Sequence, residues 1–134
     1  MLSPKSKTYY KSHYLTFLGK TKSSIAFGFY GLKAITGGHL SSNQIEAARR
    51  VIARILKKEG VASTIWLRIF PSMAKTKKMS GRMGMGKGEI ASWYANVKAE
   101  QIVFELPKID ETVAKKLASI VSSKLPLKLK LCTK

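Results

Sequence analysis

Acid is what this sequence has least of. Its 7 Asp and Glu stand against 25 Lys and Arg in 134 residues, a formal net charge of +18. Such an excess goes far beyond what solubility needs and disfavours the compact state through self-repulsion. A polyanionic partner is the economical explanation, and the usual polyanion is nucleic acid. Cysteine is almost missing as well. Cys132 alone permits no internal disulfide and no Cys-based metal cage. Histidine adds only His13 and His39, far apart in the chain, so neither a metal nor a cofactor is expected. No apolar run reaches the roughly 18 residues that a membrane span requires. Met1–Lys5 has no signal-peptide apolar core, and the lack of Arg before Arg49 argues against an Arg-rich transit peptide. The expectation is a chain that stays where it is made, or one whose presequence has been removed.

What is present is ordinary globular material. Hydrophobic residues make up 45% of the chain, which excludes simple disorder, and the length predicts one domain over residues 1–134. Basic charge is unevenly spread. Residues 1–45 hold six Lys and no acid, and residues 46–88 hold eleven cations against Glu46 and Glu59. Residues 89–134 hold eight cations against five acids and are nearly balanced.

Residues 1–24, with Tyr9, Tyr10, Tyr14 and Phe17 among Lys7, Lys11 and His13, lack sustained periodicity. They read as an extended basic and aromatic arm offering a stacking surface for RNA bases. Ser24–Ile35 is strand-like, with Gly28 and Gly31 marking bends or close backbone approach, and Gly37-Gly38 marks a turn. A helix is predicted from about Ser42 to Glu59. Ser41 and Gln44 form a capping box, Leu40 and Ile45 a hydrophobic staple, and Gly60 the stop. Ile45, Ala48, Ile52, Ile55 and Leu56 fall within an arc of about 100°. Arg50, Arg54, Lys57 and Lys58 lie opposite, flanked by Arg49, with no acid balancing them, so this face is the first candidate for nucleic-acid contact.

Thr64–Phe70 alternates as a strand ending at Pro71. Residues 92–98 and 101–106 read as an antiparallel pair, although Ala99-Glu100 is poor primed-turn chemistry. A second helix is expected from Asp110 to about Lys124, burying Val113, Leu117, Ile120 and Val121, with a last strand at Leu127–Leu131. The predicted class is α+β: a two-layer sandwich of a mostly antiparallel sheet with two helices. Trp66, Trp93, Phe70 and Phe104 are expected in its core.

Residues 71–91 form the second candidate, a projecting loop too long for a mere connection. It carries Lys75, Lys77, Lys78, Arg82 and Lys87, four glycines, and Met73, Met79, Met83 and Met85. Glycines admit close backbone approach to phosphates, and methionines fit irregular apolar faces. Gly81–Lys87 also fits G-x-x-x-x-G-K, but Gly88 stands where a phosphate-binding P-loop needs Ser or Thr for magnesium. Seven carboxylates, two His and one Cys offer no nucleophile–base spacing. Glu105, Asp110 and Glu111 form at most a carboxylate cluster of which two acids suit a helix N-terminus. No enzyme is expected.

The stretch Arg82–Gly88 (RMGMGKG), with Trp93 five residues on, closely resembles the signature loop of the family of large-subunit ribosomal protein sixteen. Met1–Lys5, Phe27–Ile35, Gln44–Arg50, Ile65–Pro71 and Lys124–Pro126 match the same family in order. The resemblance implies a non-enzymatic constituent of the large ribosomal subunit. Its partners would be large-subunit ribosomal RNA, tRNA and neighbouring ribosomal proteins, with no membrane span and no homo-oligomer. Anchoring in ribosomal RNA would fall to Lys5, Lys7, Lys11 and His13 of the arm and to Lys33. Arg49, Arg50, Arg54, Lys57 and Lys58 of the helix would join them, with Lys75, Lys77 and Lys78. Gly81, Arg82, Met83, Gly84, Met85, Gly86, Lys87 and Gly88 would reach toward the peptidyl transferase centre and the acceptor ends of tRNA.

The chain departs from the family pattern in its arm, where Tyr10, Tyr14, Leu15, Phe17 and Leu18 replace basic density. Val61–Thr64 reads as an insertion, and Ala99-Glu100 replaces a Pro-Gly turn. With 20 Lys to 5 Arg, the composition suggests an A+T-rich genome and a mitochondrial copy, ahead of plastid or bacterial cytoplasm. The alternatives are a nucleotide enzyme using the Gly81–Gly88 loop, or a generic basic protein binding DNA or a membrane surface.

Overall fold

A computed structural model of the chain describes residues 2–5, 19–61, 64–78, 83–84 and 88–134. In chain order these form β1 (Tyr30–Ala34), β2 (Gly38–Ser41), α1 (Ser42–Lys58), β3 (Trp66–Leu67), β4 (Met73–Lys77), β5 (Glu89–Val97), β6 (Ile102–Leu106), α2 (Glu111–Lys124) and β7 (Leu129–Thr133). Two sheets result, ordered β3-β6-β1-β7 and β2-β5-β4, and every strand pairing is antiparallel. The α+β class is as expected.

The first helix forms as its sequence dictates. Ser41 Oγ accepts the Gln44 N–H at 3.3 Å, while the Ser41 N–H donates to Gln44 Oε1 at 2.9 Å. Two otherwise orphaned donors are thereby satisfied. At the far end Gly60 takes a φ of +68°. Its N–H bonds the Lys57 carbonyl and the Val61 N–H bonds that of Leu56, the paired closure that a left-handed residue permits. Ile45, Ala48, Ile52 and Leu56 are buried. They join a cluster with Leu32, Leu40, Val97, Phe104, Leu106 and Leu117 that draws on both sheets and both helices.

The second helix is rotated from its expected face. It buries Ala114, Leu117, Ala118 and Val121, and Ile120 stays 43% exposed. Where α2 packs on α1 and β7, two alanines allow close approach. A periodicity counted on large residues alone misplaces the stripe. Asp110 occupies the N-cap, yet its side chain makes no cap hydrogen bond.

The strand expectations need larger corrections. Residues 92–98 and 101–106 do not pair with each other: β5 lies between β2 and β4, and β6 between β1 and β3. The corner joining them turns through Glu100 at a φ of +66°. There the Lys98 N–H donates to Gln101 Oε1 at 2.9 Å and the Glu100 N–H to the Ala34 carbonyl at 2.8 Å. A turn unsuited to a hairpin instead carries the chain from one sheet to the other. The strand expected over 64–70 contracts to Trp66–Leu67, and the last strand begins at Leu129 instead of Leu127. Phe70 is 51% exposed rather than core, while Phe104 and Trp93 are buried as expected. Gly37-Gly38 leads directly into an unforeseen strand, β2.

Both ends of the stretch 71–91 are strand, which narrows the expected loop to its middle. β4 pairs β5 from Met73↔Tyr94 to Lys77↔Glu89, with a register shift after Lys75. Between them lies the shorter segment 78–88.

Close backbone approach at Gly28 and Gly31 is real. A Cβ at Gly28 would stand 2.5 Å from the Leu106 carbonyl oxygen, and one at Gly31 2.9 Å from Cys132 Sγ. The Gly28 segment lies on Glu105, whose side chain is fully buried. Its carboxylate accepts the Ala26, Phe27 and Gly28 N–H groups at 3.1, 2.7 and 2.8 Å and pairs with Arg68 at 3.0 Å. Burial pushes this carboxyl up, but the three amides and Arg68 outweigh it and hold it below its usual range. Glu105 is therefore a structural anchor and not part of a cluster with Asp110 and Glu111.

Candidate nucleic-acid interface

Because α1 commits one stripe to the core, its other face is left to solvent. Arg50, Arg54, Lys57 and Lys58 are exposed and Arg49 is half-buried. The expectation that no acid balances this arc needs correcting. Glu46, one turn earlier, accepts from Arg49 Nη2 at 2.7 Å and Nε at 3.0 Å, and from Arg50 Nε at 3.2 Å. The Arg49 hydrogen bonds in particular hold the Glu46 carboxyl down at about 2, so it is ionised at neutral pH. Arg54, Lys57 and Lys58 have no carboxylate partner among the described residues. Lys57 and Lys58 sit in the last turn, where cations also complement the helix dipole.

The hairpin extends a second set of cations. Lys75, Lys77 and Lys78 are exposed, Met83 is 99% exposed, and Gly84 takes a φ of +82°. Gly88 passes so close to the Lys77 backbone that a Cβ would stand 3.0 Å from its carbonyl oxygen. Strand β5 then follows where a P-loop would require a helix, which removes the nucleotide-binding reading of this segment. Gly81, Arg82, Met85, Gly86 and Lys87 lie outside the described residues, as do Lys7, Lys11, His13 and the tyrosines Tyr9, Tyr10 and Tyr14.

Two remaining expectations are placed differently. Lys5 is exposed, beside Leu2 packed on the core. Lys33 is half-buried in β1 and ion-paired to Glu100 at 3.6 Å, which makes it less available than the exposed cations among the described residues. His39 serves the fold, with Nδ1 2.7 Å from Asn96 Oδ1 and its ring edge-on to Tyr94. Burial pushes the Cys132 thiol up, away from the reactive thiolate form. Among the described residues no group of three potential metal ligands occurs, and no helix is long and apolar enough to cross a membrane.

Two exposed aromatics are not foreseen from the sequence. Phe27 is 65% and Phe29 40% exposed. Arg68 lies 5.3 Å from the Phe27 ring centroid, and Lys108 5.9 Å from that of Phe29, both within cation–π range. Both residues precede β1, in a bend that no periodicity in the sequence marks.

Comparison with known proteins decides what such a surface belongs to. The family described as ribosomal protein L16p/L10e matches residues 4–132. The chain belongs to that family. It is 43% identical over 133 residues to the large ribosomal subunit protein uL16 of Mycoplasma capricolum subsp. capricolum, covering 97% of this chain and 95% of the relative. The uL16 of Buchnera aphidicola subsp. Baizongia pistaciae is 41% identical over 140 residues, covering 100% and 98%. The large ribosomal subunit protein uL16c of Cyanidium caldarium is 44% identical over 133 residues, covering 97% and 93%. Membership in the L16p/L10e family makes the chain a structural ribosomal protein and not an enzyme.

Proposed function

We propose that this protein is built into the large subunit of a bacterial-type or organellar ribosome, where it binds ribosomal RNA and shapes the aminoacyl-tRNA site. Neighbouring ribosomal proteins and tRNA are its other partners, and it acts as a single copy and a single domain over residues 1–134. Residues 1–24 serve as a basic arm. The carrying observation is the Arg54, Lys57 and Lys58 face of α1, uncompensated among the described residues, on a chain that matches the family over 4–132. The β4–β5 hairpin holds Lys75, Lys77 and Lys78 for RNA, and its 81–88 tip reaches toward the peptidyl transferase centre and tRNA ends. The Lys-rich composition, 20 Lys to 5 Arg, favours a mitochondrial ribosome.

Co-sedimentation with the large subunit, reversed only by high salt, is the expected behaviour; a pool wholly free of subunits would sink the reading. If about eight phosphates are neutralised, log affinity for ribosomal RNA falls against log salt with a slope of roughly −6 to −7. Arg82→Ala should slow peptide synthesis by fully mutant ribosomes while leaving the thermal midpoint of the isolated protein unchanged. Normal synthesis would count against the tip's role.

A further inference from the structure

Residues 19–23, which lead from the arm into the fold, run beside the β5–β6 corner. Lys20 bridges Ala99 in parallel, the Thr21 N–H donates to the Ala99 carbonyl at 3.0 Å, and the Ala99 N–H to that of Gly19 at 3.2 Å. Against this junction opens a cleft of about 290 Å³, lined among the described residues by Thr21, Lys22, Ser23, Asn96, Lys98 and Gln101. No carboxylate is among them. Glu100, on the same corner, is drawn to Lys33 at 3.6 Å and does not line the cleft.

The two amides sharpen its chemistry. Asn96 Oδ1 accepts from His39 Nδ1 at 2.7 Å, and Gln101 Oε1 accepts the Lys98 N–H at 2.9 Å. Each carbonyl oxygen already accepts one hydrogen bond within the fold, and each side chain also brings an NH2 group with two donors to a ligand. Two ammonium groups and two hydroxyls complete a lining that donates and carries positive charge.

We propose that this cleft seats a backbone phosphate of ribosomal RNA at the root of the arm, a contact separate from the α1 face and the hairpin. The inference rests on the RNA-binding reading above. A phosphodiester presents unesterified oxygens that accept several charge-assisted hydrogen bonds at once, and an open polar cleft suits a strand passing across it. Lys22 belongs to the stretch 1–45 that contains no acid, so no neighbour in sequence competes with the phosphate.

The test uses the full chain and deproteinised large-subunit ribosomal RNA. Gln101→Glu keeps the oxygen that accepts the Lys98 N–H and replaces the donor with an anionic acceptor of similar shape. It should lower affinity about tenfold or more. The double variant Lys22→Ala/Lys98→Ala touches exposed residues only and should make the salt slope shallower by about 0.7 to 0.9, the share of one phosphate. If wild type binds and both variants match it in affinity and slope, the cleft is not a phosphate site, while the broader RNA-binding reading stands. If wild type itself fails to bind, both fall. Should the variants lose binding only to protein-containing particles and not to naked RNA, the cleft takes a protein carboxylate and the proposal is overturned.

Discussion

Around Glu105 the chain neutralises its own charge; along α1 and the β4–β5 hairpin it leaves charge outstanding. Glu105 is fully buried and takes Arg68 together with three backbone donors. Glu46 also takes arginines, but at the surface, where Arg50 remains 73% exposed. Beyond it Arg54, Lys57 and Lys58 meet no acid among the described residues. The same ion-pair chemistry thus serves two ends. In the four-stranded sheet it ties the 26–28 segment onto β6, and on α1 it holds two guanidinium groups side by side. At a net charge of +18 the chain buries one acid, Glu105, where the fold depends on it, and holds the rest at or near the surface.

The strongest way to break this contrast is Glu105→Ala. It removes the fully buried carboxylate from Arg68, whose side chain is 28% exposed, and from three amide N–H groups, so the loss should stay below the roughly 3–5 kcal/mol of a fully buried pair, at about 2–3 kcal/mol. Chemical denaturation should show that loss, while the salt slope of RNA binding by the folded fraction stays unchanged. A slope that moved with it would mean the two regions are not separate. Acid should act in the same direction. A carboxyl held below its usual range contributes stability above its unfolded pKa and loses it as pH falls through the folded value. Wild type should therefore lose more stability on acidification than Glu105→Gln, measured by denaturation from neutral pH downward.

The opposite region should respond in the opposite manner. Arg54→Ala/Lys57→Ala/Lys58→Ala removes three exposed cations and should make the salt slope shallower by roughly 2 to 3, with stability changed by less than about 1 kcal/mol. Loss of folding without loss of slope would reverse the roles assigned to the two regions.

Much of this was readable in the residues. The capping box at Ser41 and Gln44, the stop at Gly60 and the apolar stripe of α1 are local, and local signals survive into the fold. Strand partners are not local. Nothing in residues 92–106 tells whether two adjacent strands pair or diverge; only the unsuitable Ala99-Glu100 turn hinted at the corner found there. Small residues define the α2 face, so large apolar residues do not mark it, and Lys75 and Lys77 weaken the strand pattern of β4. Glu105 was illegible for a deeper reason. Its partners Ala26, Phe27 and Gly28 are almost eighty positions away, and no periodicity marks which carboxylate will find an arginine in the interior.

Glu46→Gln tests the smallest effect and the finest point. Substitution removes hydrogen-bonded ion pairs to Arg49 and Arg50, worth about 0.3–0.5 kcal/mol each on an exposed helix, so stability should drop slightly. RNA binding should move the other way. One negative charge leaves the interface, and two guanidinium groups become available to phosphates, which steepens the salt slope by up to about 1. Since the carboxyl is held at about 2, the difference between variant and wild type should be constant from about pH 5 to pH 8. Weaker RNA binding in Glu46→Gln would instead show that Glu46 positions Arg49 and Arg50 for their contact, and that its charge is a cost the interface accepts for geometry.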